Sequence, residues 1–545
     1  MTKKHKWQIE LAEGLIATQI ISREQQWQTM NSTPLLLINS GNWGEVFNFA
    51  ANKKYRFVGI WAQDLYEHIQ ITACLETSAE HFLLRTTIAA KSPELFSITP
   101  YFPAANRLER HMRDMFGVKF IDHPDKRRWT RHQAWQEDQF PLRKNFSANN
   151  RPLNISLESN SLNNNENQKN IAPPDINYSF HKSTGSGTYE IPVGPIHAGI
   201  IEPGHFRFQV AGEDIINLEE RLGYVHKGIE KIAEGRNMDG LIKLAARVSG
   251  DSTASHAWAA CQACENAYEI TVPERAFYLR AIIAERERIA NHLGDFAAIC
   301  NDVGFSFAYY QFIRLKELWV RLNAEIFGHR FMMDIIKVGG VATDLNNSNK
   351  VAMQNQLREF KKELAILYPI MENNSSLHDR LKTTGILSFE VVNKIGSLGY
   401  VGRASGSKLD LRRDAPYAPY DKLKVPVPTF SAGDVLARTR IRAQEILVSL
   451  ELINELLEKL PTGSIFNKWQ QQFKAAEGLG LIEGWRGEIL AYVNFDQEGK
   501  IERYFPRDPS WFSWPALEQL IHGNIVPDFP VCNKSINGSY SGVDL

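Results

Sequence analysis

The chain is short of cysteine, of net charge and of long apolar runs, and each shortage closes off a class of protein. Its five cysteines (Cys74, Cys261, Cys264, Cys300 and Cys532) are too few and too scattered for a disulfide scaffold, so reduced thiols are expected. Lys plus Arg equals Asp plus Glu at 62 each, which leaves no excess charge to draw a nucleic acid or an anionic membrane. No uncharged apolar run approaches the roughly 18 residues that a bilayer crossing requires. The opening Met1-Thr-Lys-Lys-His-Lys-Trp-Gln is basic, but no apolar segment follows it, so it does not read as a secretory signal. The expectation is an intracellular protein that reaches a membrane through a partner.

What the chain does have is bulk. Its 545 residues suffice for two or three domains, and 43% apolar content is ordinary for a globular protein. One segment separates two kinds of sequence. Residues 147–186 are rich in Asn and Ser with almost no aromatic residues, the composition of a linker that cannot fold alone. Before it, residues 1–146 carry strand-like runs at Phe57–Trp61, His68–Leu75 and His81–Ala89. An acidic–basic helix follows at Ala105–Phe116, stopped by Gly117, which makes an α+β pattern. After the linker, residues 187–545 are dominated by the helical period. Helices are predicted over 274–298, 311–331, 349–367 and 435–460, an α-rich bundle with small β-sheets.

The motifs sharpen this reading. The front unit ends Arg107-Leu-Glu-Arg-His-Met-Arg-Asp-Met-Phe-Gly-Val-Lys-Phe-Ile-Asp-His-Pro-Asp125, and Phe140-Pro-Leu-Arg-Lys-Asn-Phe146 comes shortly after. It resembles the C subunit of respiratory complex I, departing at His111 (Glu in that family), Asp122 (Gly) and Asn145 (Asp). The rear unit offers Val193-Gly-Pro-Ile-His-Ala-Gly-Ile-Ile-Glu-Pro-Gly-His205, Leu222-Gly-Tyr-Val-His-Lys-Gly228, Gly402-Arg-Ala-Ser-Gly406 and Glu483-Gly-Trp-Arg-Gly-Glu488. It resembles the D subunit of complex I and the large subunit of energy-converting nickel–iron hydrogenases, formate hydrogenlyase included. The fused C–D order is itself a feature of formate hydrogenlyase-type large subunits.

The resemblance also shows what has changed. Arg247-Val-Ser-Gly-Asp-Ser-Thr-Ala-Ser-His256 matches the hydrogenase signature Arg-x-Cys-Gly-x-Cys-(x)3-His with serine in place of both cysteines. A thiolate is a soft ligand for nickel or low-spin iron, whereas a serine hydroxyl stays protonated near neutral pH. The rear ligands would come from an Asp-Pro-Cys-x-x-Cys motif. Setting Pro530 on its proline puts Val531 and Lys534 at the ligand positions, with Cys532 one residue off. The vestigial positions are then Ser249, Ser252, Val531 and Lys534, and no bound metal is expected. Cys261 and Cys264 read as thiols on a tightly packed small-residue helix.

The resemblance further implies polar groups for a proton or quinone cavity: Glu202, His205, Arg247, Asp251 and His256. His197 and His205 fit the two turn histidines of the complex I quinone site, His205 the better. The tyrosine of that site falls on Gly250. The implied function is a peripheral subunit on the cytoplasmic face of a bacterial inner membrane, in a complex I-like or hydrogenase-related oxidoreductase. NADH-linked partners and a quinone fit that assignment. Iron–sulfur clusters would sit in a small partner subunit, and membrane antiporter-like subunits would move the ion. An active nickel–iron hydrogenase and a structural scaffold with a dead site are the alternatives.

Overall fold

β-Branched and aromatic residues pack well on a pleated, half-buried surface, and the strand-like runs of the front unit form one sheet. In the computed structural model, residues 6–18, 20, 27–132, 135, 137–146, 178–198, 201–470 and 474–545 are described. The chain begins with α1 (Lys6–Ala17), β1 (Gln28–Met30), β2 (Thr33–Leu37), α2 (Trp43–Asn52), β3 (Arg56–Asp64), β4 (His68–Thr77) and β5 (Glu80–Ala89). The sheet order is β1-β2-β5-β4-β3, antiparallel except where β2 runs beside β5. A short parallel pair, β6 (Glu94–Phe96) and β7 (Lys119–Ile121), brackets α3 (Asn106–Phe116).

Helix α3 is charged, yet Arg107, Glu109, Arg110, His111 and Asp114 are all buried. Buried charge must be paired, and here most partners come from outside the helix. Glu109 accepts from Ile98 N (2.8 Å) and Thr99 Oγ1 (2.7 Å), and Asp114 accepts from Trp129 N (2.6 Å) and Thr130 N (2.8 Å). His111 Nε2 lies 2.7 Å from Glu230 of the rear unit. The helix is therefore a seam, not a solvated face. Asp122, at φ 61°, occupies the left-handed backbone region that the glycine of the resembling family adopts freely.

The rear unit opens with an antiparallel meander, β8 (Thr188–Val193), β9 (His205–Ala211) and β10 (Asp214–Arg221). Helices α4 (Ile229–Ala233), α5 (Met238–Ala245), α6 (Thr253–Tyr268), α7 (Glu274–Asp302) and α8 (Ser306–Phe327) follow. After the two-residue strands β11 (Ile336–Lys337) and β12 (Gly340–Val341) come α9 (Asn347–Glu372), α10 (Ser375–Leu381), α11 (Phe389–Ile395), α12 (Gly399–Ala404), α13 (Leu411–Asp414) and α14 (Val435–Glu458). A second sheet, β13 (Ala476–Gly484), β14 (Gly487–Phe495) and β15 (Ile501–Arg507), precedes α15 (Ser510–Leu520), α16 (Phe529–Ile536) and α17 (Tyr540–Asp544). The helix expected over 311–331 starts five residues earlier and stops at Phe327, where Gly328 turns the chain at φ 76°. Of the predicted linker, 147–177 lies outside the described residues. In its final part Tyr178 is buried and accepts a hydrogen bond from Arg110 (3.1 Å). No described helix is long and apolar enough to cross a membrane.

Helices α7, α8 and α14 pack side by side, and α6 lies on β13 at unusually close range. A Cβ added at Gly478 or Gly480 would stand 2.1 or 2.0 Å from the carbonyl oxygens of Ala263 and Ala259, so only glycine admits this approach. The front and rear units share one continuous apolar core. Trp61 of β3 packs on Tyr492 and Phe505 of the second sheet, with ring centroids 4.9 and 5.7 Å apart. Beside them Glu488 binds Arg56 (2.6 Å) and Arg507 (2.5 Å). Burial works against its charge, but the two guanidiniums hold its carboxyl well below the usual range.

Glu488→Gln removes one charge from that trio and leaves Arg507 buried without its counter-ion. The expected loss is about 3–5 kcal/mol in chemical denaturation. A loss under about 1 kcal/mol would show that the aromatic contacts alone hold the seam.

Candidate functional site

The loop between α5 and α6 is built from both ends of the rear unit. Lys227 Nζ caps the end of α5 by donating to Arg247 O (2.8 Å) and Val248 O (2.9 Å). Ser249 Oγ then donates to Asp251 Oδ1 (2.7 Å), and Ser252 Oγ approaches the same oxygen at 3.3 Å. The turn between β13 and β14 reaches in from the second sheet. There Arg486 grips Asp251 with both arms, Nη1 to Oδ1 at 2.7 Å and Nη2 to Oδ2 at 2.5 Å. Its guanidinium stacks over Trp485 at 3.9 Å, and Trp485 Nε1 donates to Ser252 Oγ (3.0 Å). Planar, bidentate pairing of this kind is what arginine provides and lysine does not. Partial burial raises the Asp251 carboxyl, but the Arg486 charge and the hydrogen bonds overcome it and hold the group below the usual carboxylate range.

The carboxyl-terminal segment completes the site. Ser539 is the N-cap of α17 and accepts from Gly542 N (2.9 Å). Its hydroxyl lies 2.8 Å from that of Ser249 and 3.4 Å from that of Ser541. Ser541 N donates to Glu202 Oε2 at 3.1 Å. Below this layer His256 Nε2 sits 2.8 Å from Asp508 Oδ2, both fully buried. Burial opposes the Asp508 charge, yet the His256 hydrogen bond and charge, with Arg486, hold its carboxyl at about 2. Glu287 supports the start of α6 by accepting from Ala254 N (2.7 Å) and Ser255 N (3.1 Å). Burial outweighs those bonds and pushes its carboxyl up to about 7.

The sequence-predicted residues divide. Asp251, Ser249 and Ser252 share one cluster, His256 lies beneath it on Asp508, and Glu202 stands at the exposed edge of the tail. Arg247 does not join them. It turns outward to Asp334, at 2.8 and 2.9 Å, with its side chain 46% exposed. His205 is buried on β9 against Phe180, with Gly194 O and Arg207 Nε each at 3.4 Å, whereas His197 is the turn histidine that meets the tail, 3.3 Å from Tyr540 OH. The expected rear positions lie apart from the front pair. Val531 is buried within α16 and Lys534 lies in its last turn, while the residue on Ser249 is Ser539. Pro530 stands in the first turn of α16, the ordinary place for a helix-starting proline. Setting Ser539 on the motif's first cysteine, as its contact with Ser249 suggests geometrically, would place Asn537-Gly538-Ser539-Tyr540-Ser541-Gly542 on Asp-Pro-Cys-x-x-Cys. Sequence reasoning thus missed Ser539, Gly542, Asp508 and Arg486. The Glu483–Glu488 motif was the available signal for Arg486.

These residues do not suit a nickel–iron centre. With Ser539 in that register, its four thiolate positions would hold three hydroxyls, all hydrogen-bonded to one another or to Asp251 and Trp485, and one glycine. A Cβ at Gly542 would stand 2.8 Å from the Asp508 carboxyl carbon and 3.0 Å from Ser539 Oγ, so a side chain there has no room. Among the described residues no group of three or more His, Cys, Asp or Glu is placed to hold a metal ion. Cys532, beside Arg438, is buried and pushed up to about 12 by that burial, and burial likewise drives the Cys261 and Cys264 thiols well above their ordinary value. At Gly250 the space where a side chain would start is open.

Gly542→Cys must displace Asp508 from His256, and a loss of about 1–3 kcal/mol is expected in thermal or chemical unfolding. An unchanged midpoint would mean the pair moves aside freely. Glu287 supplies a pH test. Its folded carboxyl titrates near 7 against about 4.3 unfolded, so its contribution is complete below pH 4.3 and is lost as pH rises through 7. Glu287→Gln should flatten that part of the stability–pH curve, measured by urea midpoints between pH 4.5 and 7.5.

Three family models match consecutive parts of the chain: the respiratory-chain NADH dehydrogenase 30 Kd subunit at residues 36–152, the nickel-dependent hydrogenase at 227–300, and the NADH dehydrogenase 49 Kd subunit at 302–477. Formate hydrogenlyase subunit 5 of Escherichia coli is 30% identical over 85% of this chain and 79% of its own. The C/D subunit of the NADH-quinone oxidoreductase of Bacteroides thetaiotaomicron is 29% identical over 83% and 84%. A solved chain of the membrane-bound sulfane sulfur reductase, an archaeal respiratory membrane complex, shares the fold with a TM-score of 0.63 at 24% identity, over 67% of this chain and 100% of that one. The chain therefore belongs to the family of fused complex I C/D-type subunits that includes the large subunit of formate hydrogenlyase.

Proposed function

We propose that this chain is a peripheral subunit of a membrane-bound, complex I-like oxidoreductase, that it carries no nickel–iron centre of its own, and that its altered metal loop passes protons. The observation that carries this reading is the hydroxyl row Asp251–Ser249–Ser539–Ser541, with steps of 2.7, 2.8 and 3.4 Å. Each serine can donate and accept at once, which is what proton hand-over along a row requires. The row has two outlets. At one end the Asp251 side chain is 38% exposed; at the other the Ser541 backbone N–H fixes the exposed Glu202 carboxylate beside the row, so that a water between the Ser541 hydroxyl and Glu202 would complete the second outlet. Arg486 keeps Asp251 ionised as an acceptor, and the three buried serines exclude bulk water from the middle.

Relatives named as subunits of formate hydrogenlyase and of NADH-quinone oxidoreductase support assignment to a multi-subunit redox assembly. In that assembly a small iron–sulfur subunit would supply electrons, a quinone would take them, and membrane antiporter-like subunits would use the coupling to move an ion. The site would lie at the cytoplasmic face of a bacterial inner membrane. A scaffold with a dead site is the second reading. It is favoured by the hydroxyls' mutual satisfaction.

Alanine at Ser249 or Ser539 should lower ion pumping by the purified complex at least tenfold, and Ser539→Thr, which keeps the hydroxyl, should restore most of it. Full pumping by both alanine variants would establish the scaffold reading instead. Nickel at one atom per chain in the purified complex would overturn the metal-free assignment.

A further inference from the structure

A second group of buried charges lies where α7, α12, α13 and α14 meet β13. Arg288, Arg403 and Arg412 stand there with Glu285, Asp410, Glu445 and Glu483, and all seven are buried. Three guanidiniums thus face four carboxyls. Asp414, which accepts from Asp410 N (2.9 Å), is matched by Arg413 (2.7 Å) and adds no net charge. His292, Tyr417 and Tyr420 are the other titratable groups in contact with the seven.

The hydrogen bonds show which carboxyl is left over. Glu285 accepts from Arg412 Nη1 (2.9 and 3.1 Å), Arg288 Nε (3.3 Å), Ser449 Oγ (2.6 Å) and Tyr420 OH (2.6 Å). Glu445 accepts from Arg403 Nε (2.9 Å) and Nη2 (2.6 Å), and His292 Nε2 lies 2.7 Å away. Asp410 is gripped by Arg412 Nε (3.0 Å) and Nη2 (2.7 Å). Glu483 receives the fewest donors, Arg403 Nη1 and Leu411 N, each at 3.2 Å. The same Arg403 nitrogen lies 3.4 Å from Asp410, so the two carboxyls flank it.

A fourth positive charge on His292 would balance the set, but the ring is badly placed to carry it. With Nε2 donating to Glu445, the second proton of an imidazolium would sit on Nδ1, which is buried and has no partner among the described residues. A buried donor without an acceptor costs more than a proton on an acid that has charge to spare. Burial and the Asp410 charge push the Glu483 carboxyl up to about 7 against its arginines. At Glu285 burial is overcome by Arg412 and Arg288, which hold the group at about 2. Leu411 and Tyr417, whose hydroxyl accepts from Glu483 N (3.1 Å), both line a polar cavity of about 370 Å³ between the front and rear units.

We propose that this cluster is a second proton-binding site, separate from the serine row, which holds one exchangeable proton between Glu483 and Asp410 and trades it with solvent through the cavity beside Tyr417. Loading turns one carboxylate into a carboxylic acid and leaves three guanidiniums matched by three carboxylates. Unloading returns the proton to water and leaves one carboxylate in excess. Because the two acids share Arg403, the proton belongs to the pair. The site stands whether or not the serine row passes protons.

Proton binding by the full-length protein is counted by potentiometric titration between about pH 5.5 and 8.5, with infrared difference spectra taken over the same steps in H2O and D2O. Glu483→Gln is expected to bind one proton fewer than the wild type and to lose one protonated-carboxyl C=O band, which moves to lower frequency in D2O. Glu483→Asp, which keeps an acid one methylene shorter, should keep the count and move the midpoint by at least about half a pH unit. An unchanged count in Glu483→Gln would overturn the proposal. So would loss of imidazolium bands in place of the carboxyl band, because the proton would then sit on His292. If Glu483→Gln does not fold, Glu483→Asp decides: a moved midpoint supports the site and an unmoved one overturns it.

Discussion

The grip of Arg486 on Asp251 fixes the rest of the loop, and the hairpin that carries Arg486 does more than supply one side chain. Within six residues it presents Glu483 to Arg403 (3.2 Å), Arg486 to Asp251 and Glu488 to Arg56 and Arg507. Each of these charges is taken out of water, and each is tolerable only because its partner sits at hydrogen-bond distance. The hairpin therefore ties the helical body, the serine loop and the front sheet to one rigid turn. Loss of any one pair leaves a buried charge whose penalty falls on all three.

Fold class and order of parts were legible because they rest on local signals. Strand runs at 56–89 and the helical period from 274 to 460 need only their own residues to declare themselves, and the structure differs chiefly at ends such as Phe327. The site was less legible, for reasons that are also physical. Arg247 occupies a motif position in the loop, but its direction depends on Asp334, 87 residues away. Without cysteines, the rear motif could be anchored only on proline, and Pro530 is a proline that begins a helix. Ser539 became recognisable only when its hydroxyl was seen on Ser249. His197 and His205 are eight residues apart, the latter on β9, and it is His197 that meets the tail at Tyr540.

Replacing thiols by hydroxyls changes what a pocket can do without emptying it. Thiolates in a metal site are charged and point at a common centre, whereas serine hydroxyls are neutral and satisfy one another in a line. Asp508 takes up the space at Gly542 and meets His256 at 2.8 Å, so the volume is filled by a hydrogen-bonded pair set in the surrounding apolar core. The same residues thus explain why the rear unit stays well packed and why its polar groups run as a row.

The close seating of α6 on the two glycines of β13 sets how firmly the loop and the turn that grips it are held together. Helix backbone against strand backbone leaves no layer of side chains to act as a bearing, so neither element can roll or slide past the other. Ser252 at the head of that helix and Arg486 at the end of that strand are therefore carried on a single stiff lever. The loop at Asp251 and the turn that grips it are thereby held in one register, with backbone directly on backbone between α6 and β13.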